Sequence, residues 1–295
     1  MESRGVLYLC ATPIGNLEDI TLRSLRILKE VDLVAAEDTR HARKLFSHFD
    51  IHTPLTSYHD HNSRSKGRYL VNLLMEGKNI ALVTDAGMPG VSDPGEELTA
   101  MAVSEGIRVV PLPGASASIS ALVVSGLPTE RFCFEGFLPA RGKERKRRLE
   151  DLRSEKRTII FYESPHRLRS TLSDFIKFFG DRQICIAREL TKYYEEVWRG
   201  SLEEAVLKFK DQMPRGEFTL VMEGVSGLLS PEVSGTDNIS ALGSDDLAEM
   251  VSQMEKGGVP RKEAIKEVSR KSGKPRREVY SALVEQKKSG GINTP

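Results

Sequence analysis

The sequence predicts an α/β fold: two consecutive blocks of alternating strands and helices, the first with a mostly parallel sheet and the second with a mixed one, then a small helical module. Three observations carry this. Short apolar runs such as Ile80–Val83 end abruptly in Gly/Pro loops, as buried strands do. Segments with apolar residues at helical spacing lie between those runs. A Ser/Gly/Thr-rich stretch then interrupts the pattern before three short helical segments. The implied boundaries are an N-terminal α/β domain over 1–128, a second over 129–224, a linker over 225–246 and a helical module over 247–295.

In the first block, GVLYLC is a strand that ends in the turn Thr12–Asn16. TLRSLRILKEV is a helix with Leu22, Leu25, Leu28 and Val31 on one face. DLVAAED is the second strand, closing on Glu37, Asp38 and Arg40, and a helix from Thr39 to Phe49 follows. TSYHDHNSRSK reads as a polar loop; the next helix turns Leu70, Leu73 and Leu74 inward and stops at Gly77. The strand Ile80–Val83 feeds the loop LVTDAGMPGVSDPG, where Asp85 is placed to accept hydrogen bonds from a ligand hydroxyl or amine. In parallel α/β sheets that strand end is where ligands bind. A helix ending at Gly106, the strand RVVPL and a helix of small residues after Pro113-Gly114 complete the block. A small-residue helix start admits a ligand, and its free N–H groups suit ligand oxygens.

In the second block, RFCFEGF and TIIFYES are strands on either side of a basic helix from Arg141. PHRLRSTLSDFIKFFG reads as a helix opening on a first-turn proline and stopping at Gly180. QICIAREL pairs with EVWRG in an antiparallel hairpin, Ser201 and Glu204 form a capping box, and GEFTLVMEG is the last strand.

Charge is unevenly distributed. The net charge is +1, yet between Glu255 and Lys288 eleven basic residues face five acidic ones. Two basic stretches, one with Arg141, Lys143, Arg145 and Lys146 and one with Arg270, Lys271, Lys274, Arg276 and Arg277, have the footprint of a polyanion partner. A solvated helix face explains either stretch alone equally well. The three tail segments have helix-turn-helix spacing, which a protein-interaction module would share.

Several classes lose support. Cys10, Cys133 and Cys185 lie far apart in apolar runs, as buried thiols do, and the His59/His61 pair has no third partner, so no metal is expected. No G-x-G-x-x-G follows the first strand, and Gly136–Lys143 has the wrong spacing for a P-loop. No segment approaches a membrane span or a signal peptide, and a cytoplasmic protein is expected.

Eight motifs in order, TPIGNLEDIT, AAEDTRHARKL, LVTDAGMPGVSDPG, PLPGASASISALVVSGLP, FEGFLP, IIFYESPHRL, ARELTK and GEFTLVMEG, resemble the tetrapyrrole methylase superfamily over residues 6–224. More narrowly they are similar to its branch of bacterial 16S rRNA cytidine 2'-O-ribose methyltransferases. The tail resembles the C-terminal module of those enzymes.

The resemblance implies a two-domain tetrapyrrole-methylase-like fold with S-adenosylmethionine in the cleft between the domains, usually a homodimer. It assigns to the cofactor Pro13, Asp85, Ala86, Gly87, Met88, Ser116, Ala117, Tyr162, Arg188 and Phe218. Plain helix packing for Ser116 and Ala117, and a core role for Tyr162, are the alternatives. A ribose hydroxyl is a poor nucleophile and benefits from a general base. Glu37, Glu163 and Glu189 are the candidates, with Arg40 and Arg188 placed to steer phosphates or organise those carboxylates; a structural ion pair explains each equally well. The basic segments would grip rRNA of the small ribosomal subunit. Two rival functions share these features: a small-molecule methylase acting on a tetrapyrrole, and a non-catalytic RNA-binding protein.

Overall fold

The computed structural model describes residues 4–211, 213–225, 247–248, 251–252, 254–255, 260–272 and 274–289. The chain forms two compact units, Met1–Gly227 and Leu228–Pro295.

The first unit contains two five-stranded sheets. The first has the order β3-β2-β4-β1-β5, with β1 Val6–Cys10, β2 Leu33–Ala36, β3 Leu55–Ser57, β4 Ile80–Val83 and β5 Arg108–Leu112. Every pairing in it is parallel. Helices cover both faces, which is why β4 is apolar at all four positions. Ala81 and Val83 pack under α1 (Leu22–Glu30) and α2 (Thr39–His48). Ile80 and Leu82 pack under α3 (Ser63–Met75) and α4 (Gly95–Ser104). The chain therefore leaves β1 toward one face and the adjacent β4 toward the other. A crevice opens where such neighbouring connections diverge.

The second sheet is mixed, in the order β6-β7-β10-β8-β9. Its strands are β6 Phe132–Phe137, β7 Thr158–Glu163, β8 Gln183–Arg188, β9 Glu196–Ser201 and β10 Phe218–Met222. Only β6 and β7 run parallel. One face is covered by α6 (Gly142–Leu152), α7 (Leu168–Phe179) and α8 (Leu202–Lys208) around the fully buried Phe161 and Phe175. Burying each such ring contributes roughly 1.5–3 kcal/mol. The other face receives α5 (Ala117–Ser125), whose Ala121 and Leu122 pack on Ile160, Cys185 and Val221. This helix leaves the first sheet and lands on the second, so its small residues join the two layers.

Most elements lie where the sequence placed them, including the Ser201–Glu204 capping box and the positive-φ stops at Gly77, Gly106 and Gly180. Four details differ. Leu22 is 86% exposed, and the buried face of α1 is Ser24, Ile27 and Leu28, because Thr21 caps the helix and bonds Ser24. Of the expected loop, Thr56 and Ser57 belong to the edge strand β3 and Ser63–Lys66 to α3. Pro165 sits in a turn ahead of α7. Cys133 is only partly buried.

In the second unit, helices Arg261–Ser272 and Arg276–Ser289 pack through Ala264, Val268, Val279, Ala282 and Leu283, joined by Leu247, Ala248 and Val251. Pro275 opens the second of these helices, accepting from the Glu278 and Val279 amides. Residues 226–246 of the expected linker, Met250, Gly273 and the side chains of Arg270, Lys271 and Val284 lie outside the described residues.

Candidate active site

A cleft of about 830 Å³ lies within the first unit, bounded by loops from both sheets. Its base is the crevice at β1 and β4. Thr12 and Gly87 exchange two backbone hydrogen bonds, 2.9 and 3.1 Å, and the Thr12 hydroxyl donates to the Thr84 carbonyl at 3.1 Å. The diverging loops are thus tied together. Gly87 has φ +84°, which a side chain would strain, and it supplies this tie next to Ile14. Farther along the same loop, Asp93 accepts from the amides of Gly90, Val91 and Gly95, fixing the turn into α4.

Two carboxylates face this base. Glu37, just past β2, accepts the Thr84 hydroxyl at 2.6 Å and the Asp85 amide at 3.4 Å, both on Oε2. Asp85 Oδ1 accepts the Asp38 amide at 3.1 Å. Burial, and then the neighbouring Glu37 charge, raise the Asp85 pKa above the usual carboxylate range. The other end of the base is the first turn of α5. Its N-cap Ser116 makes no side-chain cap, and its hydroxyl pairs with Ser118 at 3.1 Å. The helix start therefore presents uncapped N–H groups to the cleft.

The opposite wall comes from the second sheet. Because β10 runs antiparallel to β7 and β8, its first residues sit beside their last ones, with Thr219 level with Tyr162 and Ala187. Tyr162 meets Phe134 edge-on at 4.9 Å and Phe137 at 5.6 Å. Beneath them, Glu163 is 3% exposed. Its two oxygens accept from the Ser164 amide at 2.8 Å and from the Thr171 hydroxyl, and Arg167 lies 3.5 Å away. Arg145 extends this network to Asp174 at 2.9 Å, Thr171 at 2.9 Å and the Pro139 carbonyl at 3.2 Å.

The loop after β8 closes one end. Gly15 packs so tightly on it that a Cβ would lie 2.3 Å from Lys192 Cγ and 3.0 Å from the Leu190 carbonyl. Glu189 accepts from Lys192 Nζ and the Glu217 amide, both at 2.9 Å. Burial opposes ionisation of Glu189, but these two partners outweigh it and hold its pKa low.

Residues 6–206 match the family model described as Tetrapyrrole (Corrin/Porphyrin) Methylases. The chain belongs to this family. Its tetrapyrrole methylase relatives include a Halalkalibacterium halodurans protein named ribosomal RNA small subunit methyltransferase I, 50% identical over 95% of each chain. A Synechocystis protein of the same name is 47% identical, over 97% of this chain and 100% of its own. A shorter namesake from Thermotoga maritima is 50% identical over 75% of this chain and 99% of its own. Among solved structures, diphthine synthase superposes with a TM-score of 0.60 at 16% identity, covering 74% of this chain and 90% of its own. Uroporphyrin-III C-methyltransferase from Thermus thermophilus, complexed with S-adenyl homocysteine, gives 0.52 at 21% identity, covering 74% and 97%. These structural likenesses establish the tetrapyrrole methylase fold. The chain is a methyltransferase.

Against this methylase frame, the cleft gathers Glu37, Asp85, Ala86, Gly87, Met88, Ser116, Ala117, Tyr162, Glu163 and Phe218. Phe218 and Glu163 are buried at its floor. Pro13, Arg40, Arg188 and Glu189 are not among the lining residues; Ile14, Ala187 and Leu190 stand there instead. Arg188 is held by the Arg215 carbonyl at 2.7 Å and by Glu196 at 3.5 Å, and Arg40 pairs in solvent with Asp38. Arg145 is corrected outright: it is 7% exposed and bonded internally, so it is not presented to a phosphate. Arg141 just before α6 and Lys143 and Lys146 on it remain exposed, Arg276 and Arg277 are exposed in the second unit, and Lys274 is bonded to Glu278 at 2.8 Å. Sequence reading missed Thr84, Phe134 and Phe137. A hydroxyl directly after β4 was a signal for the first, whereas strand phenylalanines are indistinguishable from core in sequence. Among the described residues no metal-binding cluster occurs, and no helix is long and apolar enough to cross a membrane.

Proposed function

We propose that the protein transfers a methyl group from S-adenosylmethionine to the ribose 2'-oxygen of a cytidine in 16S rRNA of the small ribosomal subunit. The observation that carries the substrate class is the near full-length similarity to relatives named for small-subunit rRNA. The methyl donor is S-adenosylmethionine, and the cleft residues fit it. The uncapped α5 start suits a carboxylate. Asp85, with one amide on it, suits hydroxyl or ammonium donors. The Phe134 and Tyr162 wall suits a flat base.

When bound, the cofactor supplies an electrophilic methyl group on a sulfonium. Glu37 takes the proton of the ribose hydroxyl as the oxygen is methylated. Thr84 holds Glu37 Oε2 at 2.6 Å, and no described residue donates to Oε1, which is left for the substrate. Holding both reactants in one cleft supplies the orientation such a displacement needs. Arg141, Lys143, Lys146, Arg276 and Arg277 meet rRNA phosphates, and the enzyme works as a cytoplasmic homodimer.

The test is methyl transfer from labelled S-adenosylmethionine to small subunits lacking native modification, followed by nuclease digestion and mass spectrometry. A 2'-O-methylcytidine in 16S rRNA supports the proposal. Cofactor binding without RNA labelling, together with turnover of a tetrapyrrole acid, would overturn it in favour of a small-molecule methylase.

A further inference from the structure

The loop after β8 holds a costly backbone. Glu189 and Thr191 have φ values of +50° and +65°, a left-handed conformation unusual outside glycine and strained at β-branched threonine. Polar fastenings maintain it. The Thr191 amide donates to Glu195 Oε2 at 2.6 Å, the Thr191 hydroxyl accepts from the Asn16 amide at 3.1 Å, and Lys192 bridges Glu189 and Glu217.

What this loop holds out is Tyr193 and Tyr194, exposed 93% and 69%, with ring centroids 4.9 Å apart in an edge-to-face pair. Adjacent exposed rings add little to a core, and an apolar surface on a strained, fastened loop marks a contact site. The loop is also part of the cleft rim: Leu190, three residues before Tyr193, lines the cleft, and Gly15 of the β1 loop packs against Lys192. Nearby acids are engaged internally, Glu195 by Thr191 and Glu196 by Arg188 and Lys208.

We infer that Tyr193 and Tyr194 form a stacking platform for unpaired nucleotides flanking the methylated ribose. The inference rests on the rRNA reading above. Single-stranded RNA is recognised by stacking its bases on aromatic faces, which tolerates any base. A tyrosine ring offers such a face. A loop fixed in advance binds without the entropy cost of ordering it.

The experiment compares wild type, Tyr193→Ala/Tyr194→Ala and Tyr193→Phe/Tyr194→Phe as full-length proteins. Each is titrated with naked 16S rRNA and with unmodified small subunits over a range of salt, with S-adenosylmethionine affinity and Tm measured in parallel. The expected result is an affinity loss of about tenfold or more for both RNA forms in the Ala pair. Cofactor affinity, Tm and the salt slope should be unchanged, and the Phe pair should bind as wild type. Equal RNA affinity in the Ala pair and an active wild type overturns the inference alone. A loss confined to assembled subunits assigns the tyrosines to a ribosomal protein and also overturns it. A wild type that binds cofactor but neither RNA form overturns the rRNA reading and this inference with it.

Discussion

Thr84 donates its hydroxyl to Glu37 Oε2 at 2.6 Å, so the loop leaving β4 orients the carboxylate at the end of the neighbouring β2. Of the three carboxylates that the sequence offers as a base, this one alone lines the cleft with an oxygen that accepts from no described residue. Glu163 is consumed by its network and Glu189 fastens a loop. Glu37→Gln should therefore lower single-turnover methyl transfer by about 10²–10⁴-fold. S-adenosylmethionine affinity, read by calorimetry, should stay within about twofold of wild type on the scale of ordinary surface changes. Thr84→Val should lower the rate by less. An undiminished rate in Glu37→Gln excludes it as the base.

Asp85 should show opposed effects on binding and stability. Its raised pKa means that the folded state holds the proton more tightly than the unfolded chain. That contribution is full below the unfolded pKa of about 3.9 and is lost as pH rises through the folded value. At neutral pH the ionised Asp85 thus costs stability. Asp85→Asn should raise Tm at neutral pH, lose that advantage toward about pH 4, and weaken cofactor binding throughout. A Tm gain that persists in acid would contradict the assigned cause.

Arg145 and its neighbours should separate cleanly. Arg145→Ala leaves Asp174 and Thr171 without their cation and should cost about 3 kcal/mol, seen as a lower Tm. Arg141→Ala and Lys143→Ala, at exposed positions just before and in the first turn of α6, should leave Tm alone. Each should reduce the slope of log affinity against log salt by about 0.9 or less on rRNA.

The thiols should be slow to react. Burial pushes Cys10 up to about 12 and Cys133 up to about 11, and raises Cys185. Because the thiolate is the reactive form, a native sample near neutral pH should take up a disulfide reagent far more slowly than the denatured chain. Rapid uptake of one equivalent by the native protein would show that Cys133 is more open than its surroundings indicate.

How far the sequence revealed the site depended on the kind of signal each residue left. Asp85 to Met88 and the Pro113-Gly114 turn were legible because glycine and proline can only mean a strand's end there. The capping box at Ser201 follows the same local logic, whereas the cap at Thr21 went unread, and it drew Ser24 into the core and turned Leu22 out. Arg145 was unreadable, since its partner Asp174 lies 29 residues on and only packing of α6 on α7 brings them together. Phe134 and Phe137 were hidden for a related reason: in a strand of apolar residues nothing local separates a cleft wall from a core. Arg188 and Glu189 lay close to the right place, one and two residues past the Ala187 that lines the cleft. Alternation along a strand makes one residue the difference between facing a ligand and facing away.

The double bond between Thr12 and Gly87 also bears on how the enzyme moves. These amides are satisfied by each other before any ligand arrives, so this half of the cleft is a fixed jaw. Entropy lost on binding falls on the other side, on the aromatic wall. Hydrogen exchange at Thr12 and Gly87 should be equally slow with and without cofactor, while amides around Phe137 slow only once it is bound.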